Sequence, residues 1–352
     1  MIWPFPHGIV NGRGSLVFMT AMLTLGWKAS AEQFDPKTLL DYALLAEHLG
    51  FDSVAVSDHF HPWRDTGGHA PFAFAWLGAV AAKTSRVRLG TSVVTPSFRY
   101  HPALVAQAMA TVALLAPGRV FLGVGSGESM NETPLTSGEW PEPGERLRRL
   151  REAVRLIRRL WSEEYVTFDG KYFRTREAKL FDKPDRPILL LIAAGGPQAA
   201  TFAGRDGDGI IVTSGKGAEL YRDTLVPAME KGAREAAKDP AKLERMIEMK
   251  VSYDHDRGRA MDDTREWAAL ALPAEDKAGV EDPREMERRA KAAADRAHTR
   301  FIVSTDPDEH VAKIRPYLEW GFTHLVFHFP GPDQERAMRL YAKEVMPRLR
   351  AI

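Results

Sequence analysis

An aspartate and a histidine lie side by side at Asp58-His59, directly after the buried-strand pattern of residues 53–57, and Trp63 follows four residues later. A strand end holds an imidazole rigidly, an adjacent carboxylate sets its tautomer or binds a ligand, and an indole covers a flat ligand. A single histidine after a strand is more often a hydrogen-bonded structural group. The pair therefore indicates an active site only if reactive residues follow other strands as well.

Two glycine-rich turns follow later strands. Residues 123–131 hold three glycines at alternate positions together with Glu128 and Asn131, and Gly195-Gly196 opens a predicted helix. The first turn fails the dinucleotide pattern G-x-G-x-x-G, because Glu128 occupies the position of the third glycine. Small residues still let backbone N–H groups approach a planar or phosphorylated ligand, while Glu128 and Asn131 supply an acid–base group and an amide donor. An ordinary loop is the alternative for each turn.

A hydroxyl group and an ammonium group come together in the segment Thr213–Lys216, which also opens a predicted helix. The N-terminus of a helix favours an anion, so this turn is suited to a phosphate group. It lacks the first glycine of a Walker loop, and hydrolysis of a nucleoside triphosphate is not indicated. A solvated surface lysine is the alternative for Lys216.

The histidines raise a second chemistry, because His59 and His61 form an H-x-H pattern of the kind that begins the site of some metal-dependent hydrolases. The other ligands of such a site are missing, since the fifth and sixth strands end in Ala-Ala-Gly-Gly and Thr-Ser-Gly-Lys. His255 lies at the entry to an insertion. The sequence therefore predicts no metal site, and surface or structural roles for His61 and His255.

Each of these residues follows a predicted strand. Strand-like and helix-like segments alternate along the whole chain, which predicts a parallel sheet with crossover helices. Eight strands in a chain of this size indicate a (β/α)8 TIM barrel, whose sites lie at the C-terminal ends of the strands. The predicted strands are residues 23–28, 52–57, 87–91, 119–123, 188–193, 209–212, 246–252 and 324–328.

One helix and two insertions complete the predicted fold. Apolar residues recur at three- and four-residue spacing over residues 147–160, which predicts a helix with one face on the barrel. Its arginines indicate a solvated face rather than a nucleic-acid site, because no aromatic residues interleave. Tyr165–Phe181 has the pattern of a hairpin, and residues 256–297 that of a charged helical block. Both are predicted to lie in strand-to-helix loops, where substrate pockets are built.

Composition limits the classes of function. The chain of 352 residues is 44% hydrophobic, which suffices for a packed core, and its 48 basic and 47 acidic residues provide no net field toward nucleic acid or anionic lipid. The absence of cysteine removes thiolate catalysis and disulfides and suits the cytoplasm. No apolar run reaches the roughly 18 residues that a membrane helix needs. We predict one domain at residues 19–352, with residues 1–18 as an N-terminal extension that is disordered or reflects an upstream start codon.

Several segments carry a more specific signal: Ser57–Trp63, Gly68–Phe72, Leu89–Pro96, Phe98–Pro102, Pro117–Gly125, Asp306–Glu309 and His324–His328. Together they resemble the luciferase-like deazaflavin oxidoreductases, and more narrowly the glucose-6-phosphate dehydrogenases that use coenzyme F420. The resemblance extends from about Gly26 to Arg350. It implies a cytoplasmic homodimer that acts on a small sugar phosphate and binds neither nucleic acid nor membrane.

The resemblance also implies a cofactor site. The residues that would hold the deazaflavin and its phosphate tail are Asp58, Ser92, Val93, Thr95, Ser126, Gly127, Asn131, Gly195, Gly196 and Gln198. A non-proline cis peptide bond would fall between Ser92 and Val93. His59 and Glu128 would be the acid–base pair, with Trp63 beside the reacting carbon and Glu32 nearby. Exchanged roles, or a part for Glu32, stay open.

Four residues would hold the substrate phosphate by the same resemblance: Thr213, Lys216, Lys277 and Arg300. A bidentate arginine with two ammonium groups suits a dianionic phosphate. The sequence departs from the family pattern at Ala278, which replaces a histidine, and in the stretch to Arg300, which is one residue short. The implied reaction is oxidation of glucose 6-phosphate to 6-phosphogluconolactone with hydride transfer to coenzyme F420. Another sugar phosphate or an alcohol as substrate, and a deazaflavin-binding protein without turnover, stay open.

Overall fold

A nine-stranded parallel sheet forms the centre of the computed structural model, which describes residues 23–352, and eight of its strands close into a barrel. The barrel strands are β1 (Thr24–Ala29), β2 (Ser53–Val56), β3 (Arg88–Thr91), β4 (Val120–Val124), β5 (Leu189–Ala193), β6 (Gly209–Thr213), β7 (Glu244–Tyr253) and β8 (His324–His328). They follow one another around the barrel in chain order, and β8 pairs with β1. The predicted (β/α)8 barrel is confirmed. The extension predicted at residues 1–18 lies outside the described residues.

Helices fill the connections, and several begin with a proline that follows a capping side chain. The Asp35 carboxylate accepts hydrogen bonds from two backbone N–H groups at the start of helix Pro36–His48, and Asp306 does the same for helix Pro307–Glu319. The other α-helices are Ala73–Lys83, Pro102–Leu115, Ser129–Thr136, Pro143–Ser162, Pro197–Asp206, Val226–Glu235, Arg257–Asp262, Ala274–Lys277, Pro283–Lys291, Gln334–Leu340 and Met346–Arg350. Shorter 3-10 segments are Pro240–Lys242, Asp263–Ala271 and Ala294–Arg300, and π-helical segments are Leu220–Leu225 and Tyr341–Val345. Between residues 23 and 352 no helix is both long enough and apolar enough to cross a membrane.

Helix Pro143–Ser162 shows how the outer core forms. Its predicted apolar stripe is buried against the barrel, at Leu147, Leu150, Val154, Ile157 and Leu160. Its arginines remain at least partly exposed. The interface between the helices and the outer face of the sheet is therefore the main hydrophobic core, as the 3.6-residue period predicts.

The barrel interior is layered, because alternate residues of each strand face the same side. Its middle layer is apolar and consists of Ala55, Phe121, Leu191, Ile211, Met246 and Val326. Below it, toward the N-terminal ends of the strands, is the lower layer, which we define as Ser53, Arg88, Glu244 and His324. Above it is the upper layer, defined as Lys28, Glu248, Lys250 and His328. The interior therefore has polar groups at both ends of an apolar centre.

The predicted hairpin exists, but its predicted location is wrong. Its strands Val166–Asp169 and Arg174–Ala178 pair antiparallel. They follow helix Pro143–Ser162 and precede β5, so the hairpin lies in a helix-to-strand connection. The Glu152 carboxylate accepts hydrogen bonds from the backbone N–H groups of residues 171–173, which holds the hairpin on the outer wall. Its residues contribute nothing to the main cavity.

The second predicted insertion lies where expected, between β7 and β8 at the C-terminal end of the barrel. Its short helices pack through an apolar cluster formed by Met130, Ala269, Leu272, Val280, Met286 and Ala293, with Trp63 against it. The insertion brings Trp267 and Lys277 to the main cavity. A short strand, Ile302–Ser304, extends the sheet beside β7 and was not predicted, because three residues are too few to show a period.

Candidate active site

A cavity of about 540 Å³ opens at the C-terminal end of the barrel. It is lined by most residues that the sequence analysis selected: Glu32, Asp58, His59, Trp63, Ser92, Val93, Thr95, Ser126, Gly127, Glu128, Asn131, Gly195, Thr213, Lys216, Lys277 and Arg300. Gly196 and Gln198 do not line it; they lie at the start of helix Pro197–Asp206, where Gln198 is exposed. A cavity of this size, with converging polar groups, is typical of a small-molecule site.

Glycines shape one wall of the cavity in two ways. A Cβ atom on Gly125 would lie 2.8 Å from the Val93 side chain, so Gly125 permits close packing next to the Ser92-Val93 peptide bond, which is cis as the resemblance implied. Gly127 has φ of 86°, a left-handed conformation that other residues rarely adopt. At Gly195 a Cβ would meet no atom within 4 Å. This wall therefore has room for a flat ligand.

His59 and Glu32 form a hydrogen-bonded pair at the centre of the cavity. The imidazole Nε2 lies 3.0 Å from Glu32 Oε1, and Ser57 Oγ donates to Glu32 Oε2 at 2.5 Å. Burial alone would raise the pKa of Glu32, but His59, Lys28 and the Ser57 hydrogen bond together lower it. Glu32 is therefore an ionised carboxylate held against the imidazole.

Asn131 determines the tautomer of His59. Its side-chain oxygen accepts hydrogen bonds from the backbone N–H groups of Phe60 (2.8 Å) and His61 (3.2 Å), so its NH₂ group faces His59 Nδ1, 3.1 Å away. Nδ1 accepts from this amide, which is nearer to it than the His61 carbonyl oxygen at 3.3 Å, and Nε2 carries the proton that it donates to Glu32. The resemblance placed Asn131 at the cofactor; its contacts show that it also orients the imidazole.

The Asp58 carboxylate is held by a residue that the sequence analysis did not select. Arg99 lies between two buried carboxylates, at 2.5 Å from Asp58 and 2.5 Å from Glu132. The Tyr100 hydroxyl also donates to Asp58, at 3.3 Å. Burial raises the pKa of Glu132 to about 7, although Arg99 opposes the shift. This network fixes the loop that carries His59 and explains why the motif Phe98–Pro102 matters.

Three cationic side chains line the opposite side of the cavity, namely Lys216, Lys277 and Arg300. None of them has a carboxylate within 4.0 Å among the described residues, and the Arg300 Nε atom is buried without a hydrogen-bond partner. Burial and the charges of Arg300 and Lys216 lower the pKa of Lys277. Glu128 opposes this shift, but among the described residues it forms no ion pair with the three cations, which are therefore suited to bind an anion.

Tyr221 holds the turn that carries Lys216. Its hydroxyl group donates to the Thr213 carbonyl at 2.8 Å and accepts from the Lys216 N–H at 3.2 Å. Gly215 has φ of 82°, and a Cβ there would lie 2.8 Å from the Arg300 carbonyl oxygen. The turn therefore brings Lys216 next to Arg300, which the sequence could not show.

The upper layer forms the floor of the cavity, and all four of its residues line it. Lys28 forms an ion pair of 2.8 Å with Glu248 and donates to the Ser92 carbonyl, while Lys250 donates to the Ser214 carbonyl at 3.2 Å. Burial lowers the pKa of Lys250 to about 8. Sequence reasoning missed this layer, although charged residues at alternate positions of the apolar strand β7 are a signal for it.

The two other histidines considered in the sequence analysis, His61 and His255, have structural contacts. His61 Nδ1 lies 3.0 Å from the Glu281 carbonyl oxygen, and the exposed His255 lies 2.9 Å from Glu344. Within residues 23–352 no group of three or more histidine or carboxylate side chains is arranged to hold a metal ion.

Comparisons with known proteins identify the family. Residues 17–324 match the family of luciferase-like monooxygenases. The F420-dependent glucose-6-phosphate dehydrogenase of Beutenbergia cavernae is 60% identical over 331 residues, which cover 94% of this chain and 98% of that protein. The enzyme of the same name from Nakamurella multipartita is 56% identical, over 94% of this chain and 97% of its own length.

Solved structures show the same fold. An F420-dependent secondary alcohol dehydrogenase in complex with an F420–acetone adduct superposes with a TM-score of 0.87 and 37% identity, over 93% of this chain and 99% of that one. A coenzyme F420-dependent tetrahydromethanopterin reductase from Methanopyrus kandleri superposes with a TM-score of 0.76 at 23% identity, over 93% of this chain and 99% of its own. The second likeness concerns the fold alone.

Proposed function

This chain belongs to the luciferase-like family and, within it, to the F420-dependent glucose-6-phosphate dehydrogenases, and from that premise we propose that it oxidises glucose 6-phosphate to 6-phosphogluconolactone with coenzyme F420 as the hydride acceptor. The observation that carries the proposal is the anion site of Lys216, Lys277 and Arg300. A dianionic phosphate monoester supplies the missing counter-charge, and its oxygens match the planar donors of an arginine. A simple alcohol would leave these charges unpaired.

The coenzyme fits the glycine-lined wall of the cavity. Ser92, Val93 and Thr95 would contact the flat ring system, and the residues proposed for the rest of the cofactor are Asp58, Ser126, Gly127, Asn131, Gly195, Gly196 and Gln198. Gly196 and Gln198 lie outside the cavity at a helix N-terminus, which suits the anionic phosphate tail. When bound, the deazaflavin supplies a ring carbon that accepts a hydride.

The His59–Glu32 pair is the proposed proton acceptor. As the hydride leaves carbon 1 of the sugar, the proton of the hydroxyl group on that carbon would pass to a Glu32 carboxylate oxygen, because His59 Nε2 already carries a proton and Nδ1 accepts from Asn131. The pair then changes from one net negative charge to neutral. Glu128, on the exposed rim of the cavity, would exchange a proton with the ring nitrogen. Trp63 would cover the reacting carbon; the Lys277 ammonium lies 5.9 Å from its ring centroid, so the reacting end and the phosphate end adjoin.

The test is optical. Glucose 6-phosphate added to the protein with oxidised coenzyme F420 should bleach the visible band of the coenzyme, whereas NADP and flavin mononucleotide should give no turnover. Unphosphorylated glucose and propan-2-ol should react at least 100-fold less efficiently. Equal turnover of glucose would contradict the role of the cations. Tight coenzyme binding without bleaching by any sugar phosphate would instead indicate a binding protein.

We further propose a cytoplasmic homodimer. The absence of cysteine suits a reducing compartment. The homodimer follows from the resemblance to the luciferase-like deazaflavin oxidoreductases. Light scattering should give twice the mass of the chain, and a monomer at micromolar concentration would contradict the dimer.

A further inference from the structure

His328 is a buried histidine without hydrogen bonds. It ends β8, its side chain is 3% exposed, and it lines the main cavity. Neither ring nitrogen has a hydrogen-bond partner in the part of the chain that the structure describes. Buried polar groups in native proteins are almost always paired, and an unpaired one destabilises the fold. A ligand in the cavity that bonds to His328 would supply the missing partner.

His324 shows that the barrel is able to satisfy such a group. It lies four residues earlier on the same strand and faces the same interior, but its two nitrogens are 2.6 Å from Ser53 Oγ and 2.6 Å from Glu244 Oε1. Of the two interior histidines of β8, the one at the upper end, where the cavity begins, has no hydrogen-bond partner at either nitrogen among the described residues.

The surroundings of His328 hold its ring in place without bonding to its nitrogens. The Trp267 ring packs perpendicular to it at 4.4 Å between centroids, and the Phe301 ring lies at 5.9 Å. Glu248 Oε1 is 3.8 Å from Nδ1, beyond hydrogen-bond range. Burial lowers the pKa of His328 to about 4, so the ring is neutral and offers one donor and one acceptor. A hydroxyl group can bond to either nitrogen, because it both donates and accepts.

The position of His328 identifies the kind of hydroxyl group. Its strand neighbour is Lys250, which bonds to Ser214 beside the phosphate-binding turn. Its other charged neighbours include Lys28 and Glu32, the latter at the acid–base end of the cavity. A sugar phosphate that spans the two ends carries ring hydroxyl groups between its oxidised carbon and its phosphate. We propose that His328 is a specificity-determining residue that binds one of these ring hydroxyl groups, an inference that rests on the proposed function.

The experiment combines a variant with substrate analogues. Wild type and His328→Leu would be assayed with glucose 6-phosphate and its 2-, 3- and 4-deoxy analogues. Wild-type kcat/KM should fall roughly 10- to 100-fold on one analogue, and His328→Leu should show a similar fall on glucose 6-phosphate itself but no further fall on that analogue. His328→Asn, which keeps a donor and an acceptor, should recover part of the loss.

Three outcomes would overturn the inference. The first is full activity of His328→Leu, and the second is that wild type loses activity selectively on none of the analogues. The third is that His328→Leu loses as large a factor on the analogue as wild type does. Coenzyme binding followed by fluorescence checks that each variant is folded, and His328→Asn carries the test if the leucine variant does not fold. Wild-type turnover of glucose 6-phosphate tests the proposed function separately. If wild type fails to oxidise it, the proposed function fails whatever the variants do.

Discussion

The two polar layers of the barrel interior each contain a glutamate, a histidine and at least one basic residue, and they differ in whether the histidine is paired. In the lower layer, Glu244 bonds to His324 at 2.6 Å and to Arg88 at 2.8 Å, and Ser53 completes the bonding of His324. In the upper layer Lys28 and Glu248 are paired, but both nitrogens of His328 are free among residues 23–352. Buried polar groups that bond to one another stabilise a fold, whereas an unpaired one that faces a cavity is available to bind a ligand.

The largest effect on activity is expected from His59, which lies in the cavity above the upper layer. His59→Ala should lower kcat by roughly 10²- to 10⁴-fold, because it removes the group that shares its proton with Glu32, while coenzyme affinity should change little. Steady-state kinetics and a fluorescence titration of the coenzyme measure the two quantities. His61→Ala, two residues away and bonded to a backbone carbonyl, is the matched control. An unchanged kcat in His59→Ala would remove the imidazole from the chemistry.

The next effect concerns the three cations without counter-charges. Lys216→Ala should raise KM for glucose 6-phosphate by roughly 30-fold or more, as expected for loss of a charge-assisted bond worth about 2–4 kcal/mol. Coenzyme affinity should be nearly unchanged. Lys231→Ala, which removes an exposed lysine from the outer surface, should have no effect on KM. If Lys216→Ala weakens coenzyme binding instead, the turn belongs to the cofactor site.

The lower layer should control stability, and its contribution should depend on pH. Burial alone would raise the pKa of Glu244, but the hydrogen bond from His324 and the charge of Arg88 hold it at about 2, against 4.5 for an ordinary glutamate. A depressed pKa stabilises the fold above pH 4.5, and this contribution is lost as the pH falls toward 2. The difference corresponds to about 3 kcal/mol.

Urea unfolding between pH 5 and pH 2 tests this expectation. Wild type should lose more stability over that range than Glu244→Gln, which has no carboxylate to protonate, and kcat/KM of the folded variant at neutral pH should match that of wild type. Identical pH profiles for the two proteins would show that Glu244 is not stabilising as an ion.

The smallest effect is expected at the hairpin, which lies on the outer wall. Phe181 is 83% exposed, so Phe181→Ser should leave both kcat/KM and the unfolding temperature within error of wild type. A change in KM would mean that the hairpin reaches the substrate and that the original prediction of its role was correct.

More of the fold than of the site could be predicted from the sequence. Alternation of patterns predicted all eight barrel strands, with both ends of β8 correct, because strand period and glycine turns are local signals. The hairpin itself was predicted, but it was placed in a strand-to-helix loop. It lies in a helix-to-strand connection, which could be recognised only after the end of the preceding helix was located.

The residues that the sequence analysis missed are those whose role depends on closure of the barrel. Arg99 joins Asp58 and Glu132, which lie 41 and 33 residues away along the chain. His328 contacts Trp267, which lies 61 residues away (328 − 267). No local pattern marks such partners. The absence of a partner, as at His328, is visible only when the whole interior is assembled.

If the lower layer stabilises the fold and the upper layer binds the substrate, a paired measurement on β8 separates the two roles. Unfolding free energy and kcat/KM would both be measured for His324→Leu and His328→Leu. We expect His324→Leu to lose about 2 kcal/mol or more of stability with unchanged kcat/KM, because it leaves the Ser53 hydroxyl group without a partner and Glu244 with Arg88 alone. His328→Leu should keep its stability and lose at least about 10-fold in kcat/KM. Equal losses of stability in the two variants, with kcat/KM unchanged in both, would contradict the account.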